Sequence, residues 1–177
     1  MAEHLLLVGM MGAGKSTVAR LVAPRLGRLH VDTDEEVERE AGASVGEIFS
    51  TRGEAGFRAQ EARVLDRVLA GEVPAVISVG GGAVLEARQR DALRQGGTVV
   101  WLRARPETLA RRVGRNARRP LLATAADGPA AALTRIDSER QPLYEEVADV
   151  VIDVDDLTPD AVAERVLAAA SPGEGRR

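Results

Sequence analysis

The sequence predicts an α/β fold in which a five-stranded parallel sheet lies between two layers of helices. Short apolar runs alternate along the 177 residues with longer stretches of helical periodicity, which is the order of βαβ units. The first run, Leu5-Leu6-Leu7-Val8, is continuously apolar, as is typical of a central parallel strand that helices cover on both faces. A glycine-rich turn leads from that run directly into a helix.

The other strands are predicted where a short apolar run ends at a turn. The five predicted strands cover residues 5–8, 28–32, 75–79, 98–102 and 150–153. Right-handed crossovers place the loops that follow parallel strands along one edge of the sheet, and ligands bind at that edge. Asp32 and Asp34 come after the second strand and Gly80-Gly81-Gly82 after the third, so we expect these residues to lie at the ligand-binding edge.

The first half of the chain is predicted to contain four helices. Gly27 ends the first helix after about residue 26, and the second covers residues 34–40. Ser44 and Glu47 have the spacing of a capping box and begin a third, short helix. The glycines within residues 52–56 predict a loop, after which the fourth helix runs from residue 57 to about residue 70.

The second half continues the alternation with one interruption. Helices are predicted at residues 86–95, from Pro106, in a stretch that ends near residue 147, and after Thr158-Pro159. Periodicity is lost from residue 113 to about residue 127, where we predict a mobile lid. We expect residues 1–170 to form a single domain and residues 171–177 to be a disordered tail.

Composition argues against several classes of protein. The net charge of −3 disfavours non-specific nucleic-acid binding, and the absence of cysteine excludes disulfides, thiol chemistry and cysteine-ligated metals. The N-terminus lacks a signal-peptide pattern, and no segment approaches the roughly 20 apolar residues that cross a membrane. We therefore expect a cytoplasmic protein with no membrane partner. His4 and His30 have no accompanying motif and are interpreted as structural.

The glycine-rich turn carries the most specific motif of the chain. Residues 9–17, Gly-Met-Met-Gly-Ala-Gly-Lys-Ser-Thr, match G-x-x-x-x-G-K-[ST], whose backbone N–H groups surround phosphate oxygens. Lys15 is the only lysine among 24 basic residues, which indicates a site that needs a compact ammonium rather than a planar guanidinium. We predict a bound nucleoside triphosphate, with Ser16 as a ligand of Mg²⁺. The predicted phosphate contacts are Gly12, Ala13, Gly14, Lys15, Ser16 and Thr17.

Two missing signatures narrow the kind of nucleotide-binding protein. The Asn-Lys-x-Asp guanine motif of GTPase switches requires a second lysine, and the chain has none. Motor and transporter ATPases end an apolar strand in an acidic pair, whereas the best candidate strand here ends in Ser78-Val79-Gly80. Both absences favour a small-molecule kinase.

Asp32 and Asp34 form an acidic pair directly after the second strand. A phosphoryl transferase uses such carboxylates to hold Mg²⁺ through water and to orient or deprotonate the attacking hydroxyl. Aspartate is also a common N-cap, so a capping role is the alternative for Asp34.

A second anion site is predicted from one helix face and one strand end. Arg58 and Glu61 are three residues apart, so Glu61 can hold the guanidinium for a fork onto a carboxylate; the alternative is a surface ion pair. Gly80-Gly81-Gly82 lets backbone amides approach a ligand, unless it is only a loose turn. Residues 118–122, which include Arg119, are interpreted as a lid that brings positive charge to the phosphates, or as a solvated basic loop.

Taken together, these segments resemble the shikimate kinases, over nearly the whole chain from residue 5 to about residue 168. The motifs that carry the resemblance are the phosphate loop 9–17, Asp32-Thr33-Asp34, Phe57-Arg58 with Glu61, Gly80-Gly81-Gly82, Arg119-Pro120-Leu121-Leu122, and Arg140 before Pro142-Leu143-Tyr144. The resemblance implies a three-layer P-loop kinase fold like that of nucleoside-monophosphate kinases, in a protein that is usually monomeric.

The resemblance also implies the reaction and the roles of individual residues. ATP would donate its γ-phosphate to the 3-hydroxyl of shikimate, on the route to aromatic amino acids. Asp34 would contact the ring hydroxyls and act as base, and Arg58 and Arg140 would bind the substrate carboxylate, with a backbone amide of Gly81. Arg119 would be the lid residue that meets ATP. Ser16 and, through water, Asp32 would hold Mg²⁺.

Two rival functions stay open at this point. A kinase of another small sugar acid, such as gluconate, shares the phosphate loop and the need for a carboxylate site. A nucleotide-binding regulatory module without turnover would need neither Asp34 nor a second anion site. One segment departs from the family pattern: residues 155–159, Asp-Asp-Leu-Thr-Pro, lack the basic residue that often lies near the adenine.

Overall fold

The computed structural model describes residues 3–113 and 128–170. All five strands belong to one parallel sheet, in the order β2-β3-β1-β4-β5. The strands are β1 His4–Val8, β2 Leu29–Asp32, β3 Ala75–Ser78, β4 Gly97–Arg103 and β5 Val150–Asp153. The predicted α/β class, strand number and parallel pairing are confirmed.

Helices connect the strands and pack on both faces of the sheet. They are α1 Lys15–Arg25, α2 Thr33–Ala41, α3 Val45–Leu69, α4 Ala87–Gly96, α5 Pro106–Val113, α6 Gly128–Val147 and α7 Pro159–Ala170. A 3₁₀ turn, Ala83–Leu85, precedes α4. Within the described ranges, no helix is both long enough and apolar enough to cross a membrane.

The predicted loop at residues 52–56 is wrong, because α3 continues through it with a kink. Gly53 has φ 67° and ψ 179°, and helical geometry resumes immediately on both sides. Only glycine adopts this conformation without strain, so the change of direction needs one residue rather than a loop. The short helix predicted from Ser44 is therefore the first part of α3, and its capping box with Glu47 is present.

The centre of the sheet determines where the site lies. Leu6 of β1 pairs with Ile77 of β3 on one side and with Val99 of β4 on the other, and all three are fully buried. The turns after β1, β2 and β3 therefore lie side by side at the carboxyl edge of the sheet. The main hydrophobic core consists mostly of Val, Leu, Ile and Ala, as the low aromatic content of 2% requires.

Both histidines make contacts within the fold. The ring Nδ1 of His4 accepts the backbone N–H of Ala75 at 3.2 Å, and Nε2 of His30 lies 3.1 Å from Oγ of Ser78. The predicted lid lies outside the described residues except for Val113, the last residue of α5, and so does the predicted tail at residues 171–177.

Candidate active site

The phosphate loop connects β1 to α1 in a backbone conformation that depends on glycine. Gly9, Gly12 and Gly14 have φ of 139°, 84° and 94°. A Cβ on Gly9 would lie 2.5 Å from the carbonyl oxygen of Leu102, so the loop also packs too closely on β4 for any side chain there. The loop therefore has a glycine-dependent backbone at the start of a helix, which is the context that the phosphate-binding motif requires.

Lys15 directs its ammonium into this loop. Its Nζ donates to the carbonyl oxygens of Gly9 at 2.8 Å and of Met10 at 3.1 Å. The ammonium therefore lies at the carbonyl side of the loop, and its contact with the outer phosphates stays a prediction of the motif.

Ser16 and Asp32 bring two hard oxygen ligands together. Oγ of Ser16 donates to Oδ2 of Asp32 at 2.5 Å, although the residues lie on α1 and β2. No cluster of three or more acidic or histidine ligands occurs among residues 3–113 and 128–170. A hydroxyl and one carboxylate fit Mg²⁺, which usually completes its shell with water and phosphate oxygens.

The N-cap of α2 is Asp32. Capping was the alternative role considered for Asp34, and the structure does not give Asp34 that role. Oδ1 of Asp32 accepts the backbone N–H groups of Asp34 at 3.0 Å and Glu35 at 3.4 Å. Asp34 lies in the first turn of the helix, and its carboxylate reaches the triple glycine: a Cβ on Gly80 would lie 2.7 Å from its Oδ1. The cap of Asp32 therefore orients the backbone of Asp34, and the Asp34 carboxylate is directed toward the triple glycine.

Arg58 packs against the last glycine of the triple. A Cβ on Gly82 would overlap its guanidinium, so only glycine lets the arginine occupy this position. Nη1 of Arg58 donates to Oε2 of Glu61 at 2.7 Å, and Nη2 to Oε1 of Glu54 at 3.4 Å. The Glu61 side chain is only 5% exposed, which makes this pair far more buried than the surface ion pair considered as the alternative.

Arg140 approaches the same turn from α6. Its Nη1 donates to the carbonyl oxygen of Gly81 at 2.8 Å, and the residue is buried. Gly81 in turn lies next to the phosphate loop, since a Cβ on it would be 3.3 Å from the carbonyl oxygen of Gly9. The sequence-predicted residues Asp34, Arg58, Gly80, Gly81, Gly82 and Arg140 therefore surround one turn, which directly adjoins the phosphate loop.

Comparison with known proteins shows the family to which the chain belongs. The family model for shikimate kinase matches residues 11–171. A shikimate kinase of Symbiobacterium thermophilum is 48% identical over 165 residues, which are 91% of this chain and 92% of that protein. The chain belongs to the shikimate kinase family.

Two solved structures resemble this chain to different degrees. A shikimate kinase from Acinetobacter baumannii in complex with shikimate has a TM-score of 0.88 at 38% identity, covering 94% of this chain and 92% of that one. A gluconokinase from Sinorhizobium meliloti has a TM-score of 0.56 at 19% identity, covering 95% of this chain and 91% of that one. The second similarity shows a shared fold alone, so it gives no support to the gluconate alternative.

Sequence reasoning gave no role to two residues that support this shikimate kinase site. The hydroxyl of Tyr144 donates to the carbonyl oxygen of Gly81 at 2.7 Å, next to the bond from Arg140. Burial raises the pKa of the Tyr144 phenol, which keeps it a donor. Its position four residues after Arg140, on the same helix face, is the signal that indicates this role. Arg112 bonds to the carbonyl oxygens of Gly12 at 3.4 Å and Val154 at 3.0 Å.

Two further segments of the predicted site are the lid with Arg119 and the segment after β5. Arg119, the expected lid residue, lies outside the described residues. The segment after β5 borders a cavity of about 470 Å³. Oδ1 of Asp155 accepts a hydrogen bond from the backbone N–H of Arg105 at 2.9 Å. Asp155, Asp156 and Leu157 all line the cavity.

Proposed function

We propose that this protein transfers the γ-phosphate of ATP to the 3-hydroxyl of shikimate, which yields shikimate 3-phosphate and ADP. The observation that supports the proposal is that two predicted anion-binding regions adjoin each other: the phosphate loop at Gly9 and the arginine-lined turn at Gly81. A triphosphate in the first region and a carboxylated ring in the second would bring donor and acceptor together. Membership of the shikimate kinase family supports shikimate as the acceptor and ATP as the co-substrate.

On the donor side, the chain would bind and orient the triphosphate. The backbone of Gly12, Ala13 and Gly14 and the start of α1 at Lys15, Ser16 and Thr17 would hold the β- and γ-phosphates. Mg²⁺ bound at Ser16 and, through water, at Asp32 would neutralise charge that develops between the β- and γ-phosphates. Arg119 would add positive charge from the lid and exclude water.

On the acceptor side, Asp34 would accept the proton of the 3-hydroxyl as its oxygen bonds to the γ-phosphorus. The bond between that phosphorus and the bridging oxygen breaks in the same transfer, and ADP leaves with those electrons. Arg58 and Arg140 would bind the ring carboxylate, assisted by the turn Gly80-Gly81-Gly82. Anchoring the opposite end of the ring would fix the hydroxyl in line with the phosphate, which is how positioning lowers the barrier.

An ADP-release assay with shikimate, with gluconate and without an acceptor tests the proposal. We expect rapid ADP release with shikimate only. Release that does not depend on shikimate would refute it, and release with gluconate alone would favour the sugar-acid kinase. Omission of Mg²⁺ in the same assay should abolish ADP release.

We further propose that the protein acts as a cytoplasmic monomer on small molecules, without a nucleic-acid or membrane partner. The net charge of −3 supports the absence of nucleic-acid binding. Light scattering coupled to size-exclusion chromatography should give the mass of one 18.8 kDa chain. A mass near twice that value would show a dimer instead.

A further inference from the structure

A small cavity lies beside Arg58, between α3, the 3₁₀ turn and α4. Its volume is about 10 Å³, and its lining includes Ala62 of α3, Ala83 of the turn and Gln89 of α4. This volume is near the minimum that holds a single water molecule. The cavity is therefore too small for a substrate but adequate for one water.

Two polar atoms of opposite character belong to the residues that line this cavity. Nε of Arg58 and Oε1 of Gln89 are both buried, and neither has a hydrogen-bond partner among residues 3–113 and 128–170. The first can only donate and the second can only accept. Buried polar groups without partners are rare and costly, so a pair of complementary ones at a water-sized space indicates a bridging molecule.

The orientation of the Gln89 amide is determined by a second contact. Its Nε2 donates to Oδ1 of Asp66 at 3.3 Å, and a carboxylate accepts hydrogen bonds. The amide oxygen must therefore be the atom that lacks a protein partner. Gln89 is only 3% exposed, so bulk solvent does not replace that partner.

We propose that one buried water bridges Nε of Arg58 and Oε1 of Gln89, and that Gln89 thereby positions Arg58 for the substrate carboxylate. Among the described contacts, Glu61 accepts one N–H from Nη1 of Arg58, and Glu54 accepts one N–H from Nη2. With the water on Nε, the guanidinium is held on three sides, and one N–H of each terminal nitrogen is left to fork onto a carboxylate. This inference rests on the proposed role of Arg58 in shikimate binding.

The test combines a structure with kinetics. A crystal structure of the wild-type protein at high resolution should show electron density for one water within hydrogen-bond distance of both atoms. Replacement Gln89→Met keeps the length of the side chain but removes the acceptor. Because the effect is transmitted through Arg58, we expect KM for shikimate to rise about 3- to 10-fold, a part of what a lost hydrogen bond to a charged group costs. We expect kcat and KM for ATP to change less than about twofold.

The matched control is Arg88→Met, one residue earlier on α4. Arg88 also bonds to Asp66, at 2.8 Å, but it is exposed and does not line the cavity. Loss of the Asp66 contact alone should leave shikimate binding unchanged. If Gln89→Met does not fold, Ala83→Val tests the same water by filling its space, with the same expected rise in KM.

Three results would overturn the inference: no water density between the two atoms, an unchanged KM for shikimate in Gln89→Met, or an equal rise in KM for both substrates. The third would show that Gln89 only stabilises the fold. These failures are distinct from failure of the proposed function, in which the wild-type protein would release no ADP with shikimate. Water density between the two atoms can be assessed in either case.

Discussion

In the phosphate loop, the hydrogen bonds of Lys15 are short along the chain: its ammonium donates to the carbonyl oxygens of Gly9 and Met10. Around the triple glycine, the contacts are long: Arg140 and Tyr144 reach Gly81 across 59 and 63 positions. The first region is a backbone conformation that one segment can adopt. The second exists only when three helices and a strand end have packed together.

This difference predicts how a substitution in each region should affect catalysis and stability. A change at Lys15 removes a charge from the chemistry together with two hydrogen bonds inside the loop. A change around the triple glycine alters a buried network in which Glu61 holds Arg58 and the carbonyl of Gly81 holds both Arg140 and Tyr144. We therefore expect the largest catalytic effect, with normal stability, in the first region, and smaller catalytic effects accompanied by a loss of stability in the second.

The largest effect is expected for Lys15→Ala. Removal of the ammonium proposed to contact the outer phosphates should abolish measurable turnover, because Lys15 is the only charged side chain among loop residues 9–17. Calorimetric titration should show that shikimate still binds. A near-normal kcat would contradict the assigned role and the contrast between the two regions.

Asp34→Asn should reduce kcat by roughly 10²–10⁴-fold, because the amide keeps the shape of the side chain but cannot accept the hydroxyl proton. The control is Glu35→Gln, which alters the exposed neighbouring carboxylate. Steady-state kinetics decide between two roles: if only KM changes, Asp34 positions the substrate without acting as base.

Arg58→Ala should raise KM for shikimate by about 10- to 100-fold, the cost of a lost charge-assisted hydrogen bond, and leave ATP binding largely intact. Arg67→Ala is a control on the same helix, since its guanidinium bonds to Glu36 and Glu40 away from the triple glycine. Equal losses for ATP and shikimate would mean that Arg58 mainly holds the fold.

The smallest effect is expected for Tyr144→Phe, which preserves the ring stacked on Trp101 with a centroid distance of 5.6 Å. The carbonyl of Gly81 keeps its bond from Arg140, so the free energy of unfolding should fall by about 1 kcal/mol. Urea denaturation measures this directly. An unchanged midpoint would show that the hydroxyl does not contribute to the turn, and that the network is less coupled than its contacts indicate.

Much of the fold and one half of the site were predictable from local patterns. The apolar runs predicted the five strands, since strand burial leaves a signal in consecutive residues. The phosphate loop was predictable for the same reason, because glycine spacing encodes its backbone directly. Asp32 and Asp34 were recognisable as an acidic pair, but the sequence did not show which of the two caps α2. The structure shows that Asp32 both caps α2 and bonds to Ser16.

The sequence by itself therefore determined the sheet, the phosphate loop and the residue types of an anion site, all of which depend on neighbours along the chain. Only the tertiary structure decided that Gly53 kinks a helix instead of opening a loop. It also decided that Gly81 lies against Gly9 and that Gln89 lines a cavity with Arg58. For Gly81 and Gly9 the physical reason is the strand order β2-β3-β1-β4-β5, which makes neighbours of β3 and β1, and for Gln89 and Arg58 it is the packing of α4 on α3.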